Sequence, residues 1–192
     1  MRKSDKLDIS KSKLIEATME LMDACVNPIE VTSRTIASKA GVQVAMINYC
    51  FGSREGLIFE AFSMNKDKYM KELCIDSVEN SSKPPKEILR SLHYKVAEFF
   101  IREYKYTSAI TAYVLLHRDL SQKQSSLPLV MAHYSGRKSE EECKLISYEL
   151  SSTMQLAINR YEDIKILSGF DLTNIEELHR FIDIQFDLFL VD

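Results

Sequence analysis

The chain has 192 residues, a formal net charge of −3 and a hydrophobic fraction of 45%. This composition is typical of one globular domain, or of a small domain fused to a larger one, and it excludes a chain that is basic throughout. No run approaches the roughly 18 apolar residues of a membrane-spanning helix, and the N-terminus does not resemble a signal peptide. We therefore expect a cytoplasmic protein without a membrane partner.

Breakers of regular structure are scarce, with 5 glycines and 4 prolines in the whole chain. Long uninterrupted elements are therefore expected, and we predict an all-α fold. The four cysteines form no paired motif, and the four histidines have no metal-ligand spacing. Neither a metal site nor a disulfide framework nor a cofactor is expected.

Positive charge is concentrated at the start of the chain. Residues 1–70 hold 10 basic and 9 acidic side chains, whereas the remainder holds 15 and 19. Five of the basic residues lie within the first 13 positions. We predict a polar, basic arm through Ile9 that suits contact with phosphate, followed by a helix over about 11–27 that Ser10 caps.

Two short helices are predicted between residues 32 and 51. Thr32 is a good N-cap for a helix over about Ser33–Ala40, and Gly41 suits the left-handed residue that ends it. A second helix follows over about Val44–Cys50. The expected buried positions are Ile36, Ala37, Ala40, Val42, Ile47 and Phe51. This is the layout of a helix-turn-helix, whose second helix enters the major groove of DNA.

The same stretch resembles the DNA-binding core of the tetracycline-repressor (TetR) family. The resemblance rests on three short runs, Ala40-Gly41-Val42, Asn48-Tyr49-Cys50-Phe51 and Ser53-Arg54-Glu55-Gly56-Leu57. It implies an N-terminal three-helix DNA-binding domain over residues 9–69, with the helix-turn-helix at about 32–51. It also implies a C-terminal helical domain over residues 70–192 that binds a ligand and dimerises.

A long helix is predicted to link the two domains. Ser53 can cap this helix, which we expect to run from Arg54 to about Asn80. The stretch Ser81–Pro85, which contains serine, lysine and two prolines, marks the boundary that follows.

The DNA-contacting residues are predicted on the second helix and at the flanks of the motif. Glutamine and asparagine side chains can pair bidentately with adenine, and Tyr49 suits the DNA backbone. The residues expected to contact phosphate are Thr32, Ser33, Arg34 and Arg54. Those expected to face the groove are Gln43, Val44, Ala45, Met46, Asn48 and Tyr49.

A second block of helices is predicted over about 85–104, 106–119 and 129–135, with a polar loop over 120–128 before the third. The family resemblance implies that a small-molecule pocket lies among them, and we expect an apolar or amphipathic effector. The candidates for its lining, which are aromatic or amphipathic residues in an otherwise apolar region, are His93, Phe100, Tyr113, His117 and Tyr134. Ordinary packing with satisfied hydrogen bonds is the alternative for each of them.

The last two predicted helices, about 139–167 and 174–190, are rich in apolar residues at helical spacing. The crowding of apolar side chains near the end of the chain favours a partner surface. In the family that the chain resembles, two C-terminal helices from each copy form the interface of a homodimer. The residues predicted to form it are Ile146, Leu150, Met154, Ile182, Phe186 and Phe189.

Together these features predict a ligand-responsive regulator of transcription, a repressor in the commonest case, which binds a palindromic operator as a dimer and is released by a small molecule. The alternative is a helical interaction module that retains the motif but has lost DNA binding. A small helical enzyme is a third class, but no catalytic motif supports it, and His117-Arg118-Asp119 resembles a kinase loop only by chance. We therefore predict no catalytic residue.

Overall fold

The computed structural model describes residues 3–72, 82–120 and 125–191, and all regular structure in these ranges is helical. The all-α prediction is therefore confirmed. The α-helices of the described ranges are α1 (Lys3–Ala24), α2 (Ser33–Ala40), α3 (Ala45–Phe51), α4 (Arg54–Glu72), α5 (Pro85–Arg102), α6 (Tyr104–Leu116), α7 (Leu127–Tyr134), α8 (Glu140–Asn159), α9 (Tyr161–Ser168) and α10 (Ile175–Phe189). No helix among them is long and apolar enough to span a membrane.

The helices group into two compact units. The first unit contains α1 to α4 together with α6, and the second contains α5 and α7 to α10. The domain boundary predicted between residues 69 and 70 places α6 in the C-terminal domain. The contacts of α6 instead group this helix with the first unit. The pattern of α6 is apolar over most of its circumference, which predicts burial but does not reveal the partner.

The core of the first unit forms where α1 packs against α2 and α4. The side chains that fill it are fully buried and come from all four of the N-terminal helices: Leu14, Met22, Ile36, Ile47, Leu57 and Ile58. Burying each such aliphatic side chain contributes roughly 1.5–3 kcal/mol. This core fixes α2 and α3 from behind.

Helix α6 covers the side of α4 that the N-terminal helices leave open. Tyr106 is buried, its ring lies 6.3 Å from that of Phe62, and its hydroxyl donates to the backbone carbonyl of Met19 at 3.3 Å. Lys105 Nζ donates to the carbonyls of Asp23 and Cys25 at 3.1 and 3.0 Å. The end of α1 and the middle of α4 are therefore both tied to α6.

The second unit is built around α5, which packs against α7, α8 and α10. Its core is mainly apolar, and fully buried members of it are Leu89, Phe99, Val130, Leu150, Ile182 and Phe186. Ser139 caps α8 in a capping box, because its hydroxyl accepts from the Glu142 N–H while the Glu142 carboxylate accepts from the Ser139 N–H.

The start of the chain differs from the prediction. Helix α1 already begins at Lys3, so residues 3–9 are helical and do not form an extended arm. Ser10 is not an N-cap, since its hydroxyl donates to the Lys6 carbonyl at 2.9 Å inside the helix. The segment contains neither glycine nor proline, so nothing in it stops the helix from extending toward the N-terminus.

The helix predicted over 139–167 is two helices, α8 and α9, because Arg160 leaves the helical region at φ −114° and ψ 33°. No glycine or proline marks this break in the sequence. The predicted extension of α4 to Asn80, and the start of the boundary at Ser81, lie outside the described residues.

Candidate nucleic-acid interface

Helix α2 has the bounds and the cap that its sequence predicts. It runs from Ser33 to Ala40, and the Thr32 hydroxyl accepts from the Thr35 N–H at 3.2 Å. Thr32 has extended backbone angles, φ −82° and ψ 160°, as an N-cap residue requires. Thr32 and Arg34 are exposed, and Ser33 is half-buried.

Gly41 ends α2 in the left-handed conformation, at φ 65° and ψ 36°. The next N–H, that of Val42, donates to the Ala37 carbonyl at 3.0 Å and closes the turn. A Cβ built on Gly41 would meet no atom within 4 Å. Glycine is therefore favoured here by the backbone conformation and not by close packing of a neighbour.

Helix α3 is held by one deeply buried side chain and exposes the opposite side. Ile47 is fully buried, whereas 44% of Val44 and 71% of Tyr49 are accessible to solvent. Ala45 and Asn48 are also exposed, as is Gln43 just before the helix, while Met46 is half-buried. We call Val44, Ala45, Asn48 and Tyr49 the α3 outer face. It contains all the predicted groove-facing residues except Gln43 and Met46.

Arg54 fastens the segment before α2 to the start of α4. Its guanidinium donates to the backbone carbonyls of Pro28 and Val31. It also pairs with the Glu55 carboxylate at 3.0 Å. These bonds give Arg54 a structural role, which the sequence could not reveal because the two carbonyls lie 26 and 23 residues away along the chain.

Lys39, a second cation near the motif, is also paired within the unit. Its ammonium lies 2.7 Å from the Glu20 carboxylate, so the ion pair joins the end of α2 to α1. Both side chains are largely exposed, so the pair contributes little to stability. Its effect here is to orient the Lys39 side chain toward α1.

Gly56 was not among the predicted site residues, although it shapes the same region. A Cβ on Gly56 would lie 2.3 Å from the backbone carbonyl oxygen of Phe51, the last residue of α3. The Ser53 hydroxyl accepts from the Gly56 N–H at 2.9 Å, which confirms Ser53 as the cap of α4. The close approach lets α4 begin directly against the end of α3.

The predicted pocket residues are divided between the two units. Tyr113 and His117 lie on or next to α6 in the first unit, where His117 is exposed and the Tyr113 ring lies 5.9 Å from that of Phe59. His93, Phe100 and Tyr134 are buried in the second unit. Neither unit therefore contains the five residues as one cluster.

Two of these residues have ordinary packing partners. The His93 Nδ1–H donates to the Leu89 carbonyl at 2.9 Å, and its ring forms a T-shaped pair with that of Phe186, with the ring centroids 5.1 Å apart. Burial lowers the pKa of His93 to about 4, so the side chain is neutral at pH 7. The Tyr134 hydroxyl donates to the Val191 carbonyl at 3.2 Å.

The predicted dimer residues are mostly core. Leu150, Met154, Ile182 and Phe186 are buried inside the second unit, and Ile146 and Phe189 are half-buried. The strongest apolar stripe of each helix faces its own unit, since that is where most apolar area can be covered. A second, exposed stripe lies elsewhere on the same helices, and its members are Leu145, Tyr148 and Leu156 on α8 and Ile184 and Leu188 on α10.

The α3 outer face presents neutral hydrogen-bonding groups and apolar groups to solvent on a short helix. Within the described residues, no group of three or more His, Cys, Asp or Glu side chains could hold a metal ion.

A scan of protein-family models and a search of curated proteins found no match to the chain.

Proposed function

We propose that the protein is a sequence-specific regulator that binds double-stranded DNA, with α2 and α3 acting as a helix-turn-helix. The observation that carries the proposal is the α3 outer face, which is exposed while Ile47 anchors the helix from behind. An α-helix with its side chains is about 10–12 Å in diameter, which matches the width of the major groove, about 12 Å. The TetR-like runs of the sequence point the same way.

The start of α2 supplies the contacts that would position the motif on phosphate. The N-terminus of a helix presents backbone N–H groups and a partial positive charge, both of which favour an anion. Thr32 and Arg34 are exposed at this end of α2. Because Arg54 is bonded to two backbone carbonyls, we assign it the task of holding this end in place.

A homodimer is part of the proposal, and its support is the exposed stripe on α8 and α10. These helices pack against each other in the second unit. Leu145 on α8 and Leu188 on α10 are 61% and 69% exposed. A second copy would cover these stripes and would hold the two α3 helices about 34 Å apart, so that they meet successive major grooves of a palindromic operator.

The regulatory part of the proposal rests on the family resemblance. A small apolar or amphipathic effector would release the DNA if it bound more tightly to an arrangement of the dimer that does not fit the operator. The loss of DNA affinity is set by the difference between the affinities of the effector for the two arrangements. A tenfold change in DNA affinity needs only about 1.4 kcal/mol of such a difference. Repression relieved by the effector is the form of regulation that we propose.

The test is fluorescence anisotropy of the full-length protein with labelled duplex DNA at several salt concentrations. We expect the logarithm of the binding constant to fall linearly with the logarithm of the salt concentration, because phosphate contacts release counterions. Arg34→Ala should reduce this slope by about 1 without changing the preferred sequence. Absence of any salt-dependent binding would contradict the proposal.

A helical interaction module that has lost DNA binding is the second candidate. The observation that favours it is the engagement of two cations beside the motif, since Lys39 pairs with Glu20 and Arg54 pairs with Glu55 and two carbonyls. Such a module would present the α3 outer face to a protein. The same anisotropy experiment separates the candidates, because a protein-binding module would not respond to duplex DNA.

A further inference from the structure

The α3 outer face lies within a stretch that carries no charge. Residues 40–53 contain neither a basic nor an acidic side chain. The exposed members of this stretch include two amides, Gln43 and Asn48, and two small apolar side chains, Val44 and Ala45. Val44 and Asn48 are four residues apart and therefore lie on the same side of the helix.

In the major groove, each base is contacted best by particular types of side chain. Guanine is read best by arginine or lysine at its O6 and N7 acceptors, and cytosine offers a donor to a carboxylate. Adenine presents an acceptor and a donor that fit the amide of asparagine or glutamine. Thymine presents a methyl group that apolar side chains contact. The stretch 40–53 therefore lacks the usual groups for G·C pairs and has those for A·T pairs.

The cations that flank this stretch do not supply the groups that would read G·C pairs. The Lys39 ammonium is paired with Glu20 on α1, and the Arg54 guanidinium is bonded to the carbonyls of Pro28 and Val31. Arg34 lies on α2, in the first turn that we assign to phosphate. None of the three is placed on α3 itself.

We infer that the protein selects duplexes with A·T pairs at the base positions beneath α3. Asn48 reads an adenine through its amide, with Gln43 as a second amide, and Val44 and Ala45 contact thymine methyl groups. This inference rests on the proposed function and narrows it to a class of DNA sequence. Tyr49, which is 71% exposed, is the member of the face that contacts the DNA backbone.

The first test is selection of full-length protein against a library of randomised duplexes, followed by sequencing of the bound fraction. We expect two half-sites whose central positions are A·T pairs. Asn48→Arg should change one of these positions in each half-site to G·C, since arginine pairs with guanine. Asn48 is exposed, so the variant should unfold at the same temperature as the parent protein.

Base analogues in the selected duplex separate contact with the bases from recognition of groove shape. Replacing thymine with uracil at the contacted positions removes only the methyl group, and we expect binding to weaken roughly fourfold for each methyl group removed. Replacing adenine with 7-deazaadenine removes the N7 acceptor, and binding should weaken roughly tenfold. The Asn48→Ala variant should be insensitive to 7-deazaadenine at the adenine that Asn48 contacts, and should still respond to it at an adenine that Gln43 contacts.

The outcomes are distinguishable. Selection of G·C pairs beneath α3 would overturn the inference and leave DNA binding intact. An A·T preference that neither the analogues nor Asn48→Arg affect would also overturn it, because the sequence would then be read through DNA shape. Failure of the library to yield any bound duplex would overturn the proposed function itself.

Discussion

At the scale of single residues, Gly41 illustrates how a backbone angle constrains the motif. Its φ of 65° costs an L-residue with a Cβ about 1–2 kcal/mol. Gly41→Ala should therefore lower the free energy of unfolding by that amount, even though the added methyl group has space. Urea denaturation measures the change. Ser38→Ala, on the exposed side of the same helix, is the matched control and should have an effect below about 0.5 kcal/mol.

His93 gives the second unit a dependence on pH. Its pKa is about 4 in the folded protein and about 6.5 when the chain is unfolded, because burial disfavours the charged ring. The unfolded chain therefore binds the proton first as the pH falls. Stability from this group is fully present above pH 6.5 and should fall by roughly 1.4 kcal/mol per pH unit as the pH drops toward 4.

Thermal unfolding between pH 7 and pH 4 checks this prediction, with His93→Asn as the comparison. The variant lacks the titrating ring. The melting temperature of the parent protein should therefore exceed that of the variant by a margin that shrinks steadily as the pH falls. A constant difference across this range would show that His93 does not set the dependence. Carboxylates titrate in both proteins and cancel in the comparison.

The residue scale also shows what the sequence can predict. Thr32 and Gly41 were predicted because caps and left-handed turns depend on residues that are three or four positions away. The role of Arg54 was not predicted, because its partners at Pro28 and Val31 are distant in sequence. Gly56 was missed for a different reason: Phe51 is only five residues away, but the close approach of its backbone oxygen depends on the direction in which α4 leaves α3.

At the scale of helices, α8 and α10 each carry two apolar faces with different tasks. Replacing Leu145 and Leu188 with glutamate alters only exposed positions. We expect the double variant to be monomeric and to retain the thermal stability of a folded second unit. Sedimentation velocity measures the mass, and circular dichroism measures the fold.

The buried face supplies the contrasting variant. Phe186→Ala should cost about 3–5 kcal/mol, because it removes a fully buried ring from the core. If the double glutamate variant sediments like the parent protein, then the exposed stripe is not the interface between copies.

Periodicity predicted the helices but not their faces. The apolar positions of α10 correctly mark an amphipathic helix, yet the pattern cannot distinguish a stripe that packs inside its unit from one that meets a partner. The break between α8 and α9 was missed because Arg160 is a good helix former, and only its backbone angles reveal the end. Tertiary contacts decide both questions.

At the scale of the whole molecule, the first unit needs α6. A fragment of residues 1–72 would leave Phe59 and Phe62 on α4 without the rings of Tyr113 and Tyr106. We therefore expect this fragment to unfold without cooperativity. In the full chain, Tyr106→Ala should cost about 3–5 kcal/mol, as for other large buried aromatic side chains. A fragment that melts cooperatively near the temperature of the full chain would contradict this view.

The order of the helices has a consequence for the way such a protein can change over evolutionary time. The chain crosses between the units after α4, after α5 and after α6. A single recombination event therefore cannot exchange the first unit as a whole, because one of its helices is encoded within the sequence of the second. A substitution at the contact between α4 and α6 therefore constrains residues that lie beyond a whole helix of the second unit in the sequence.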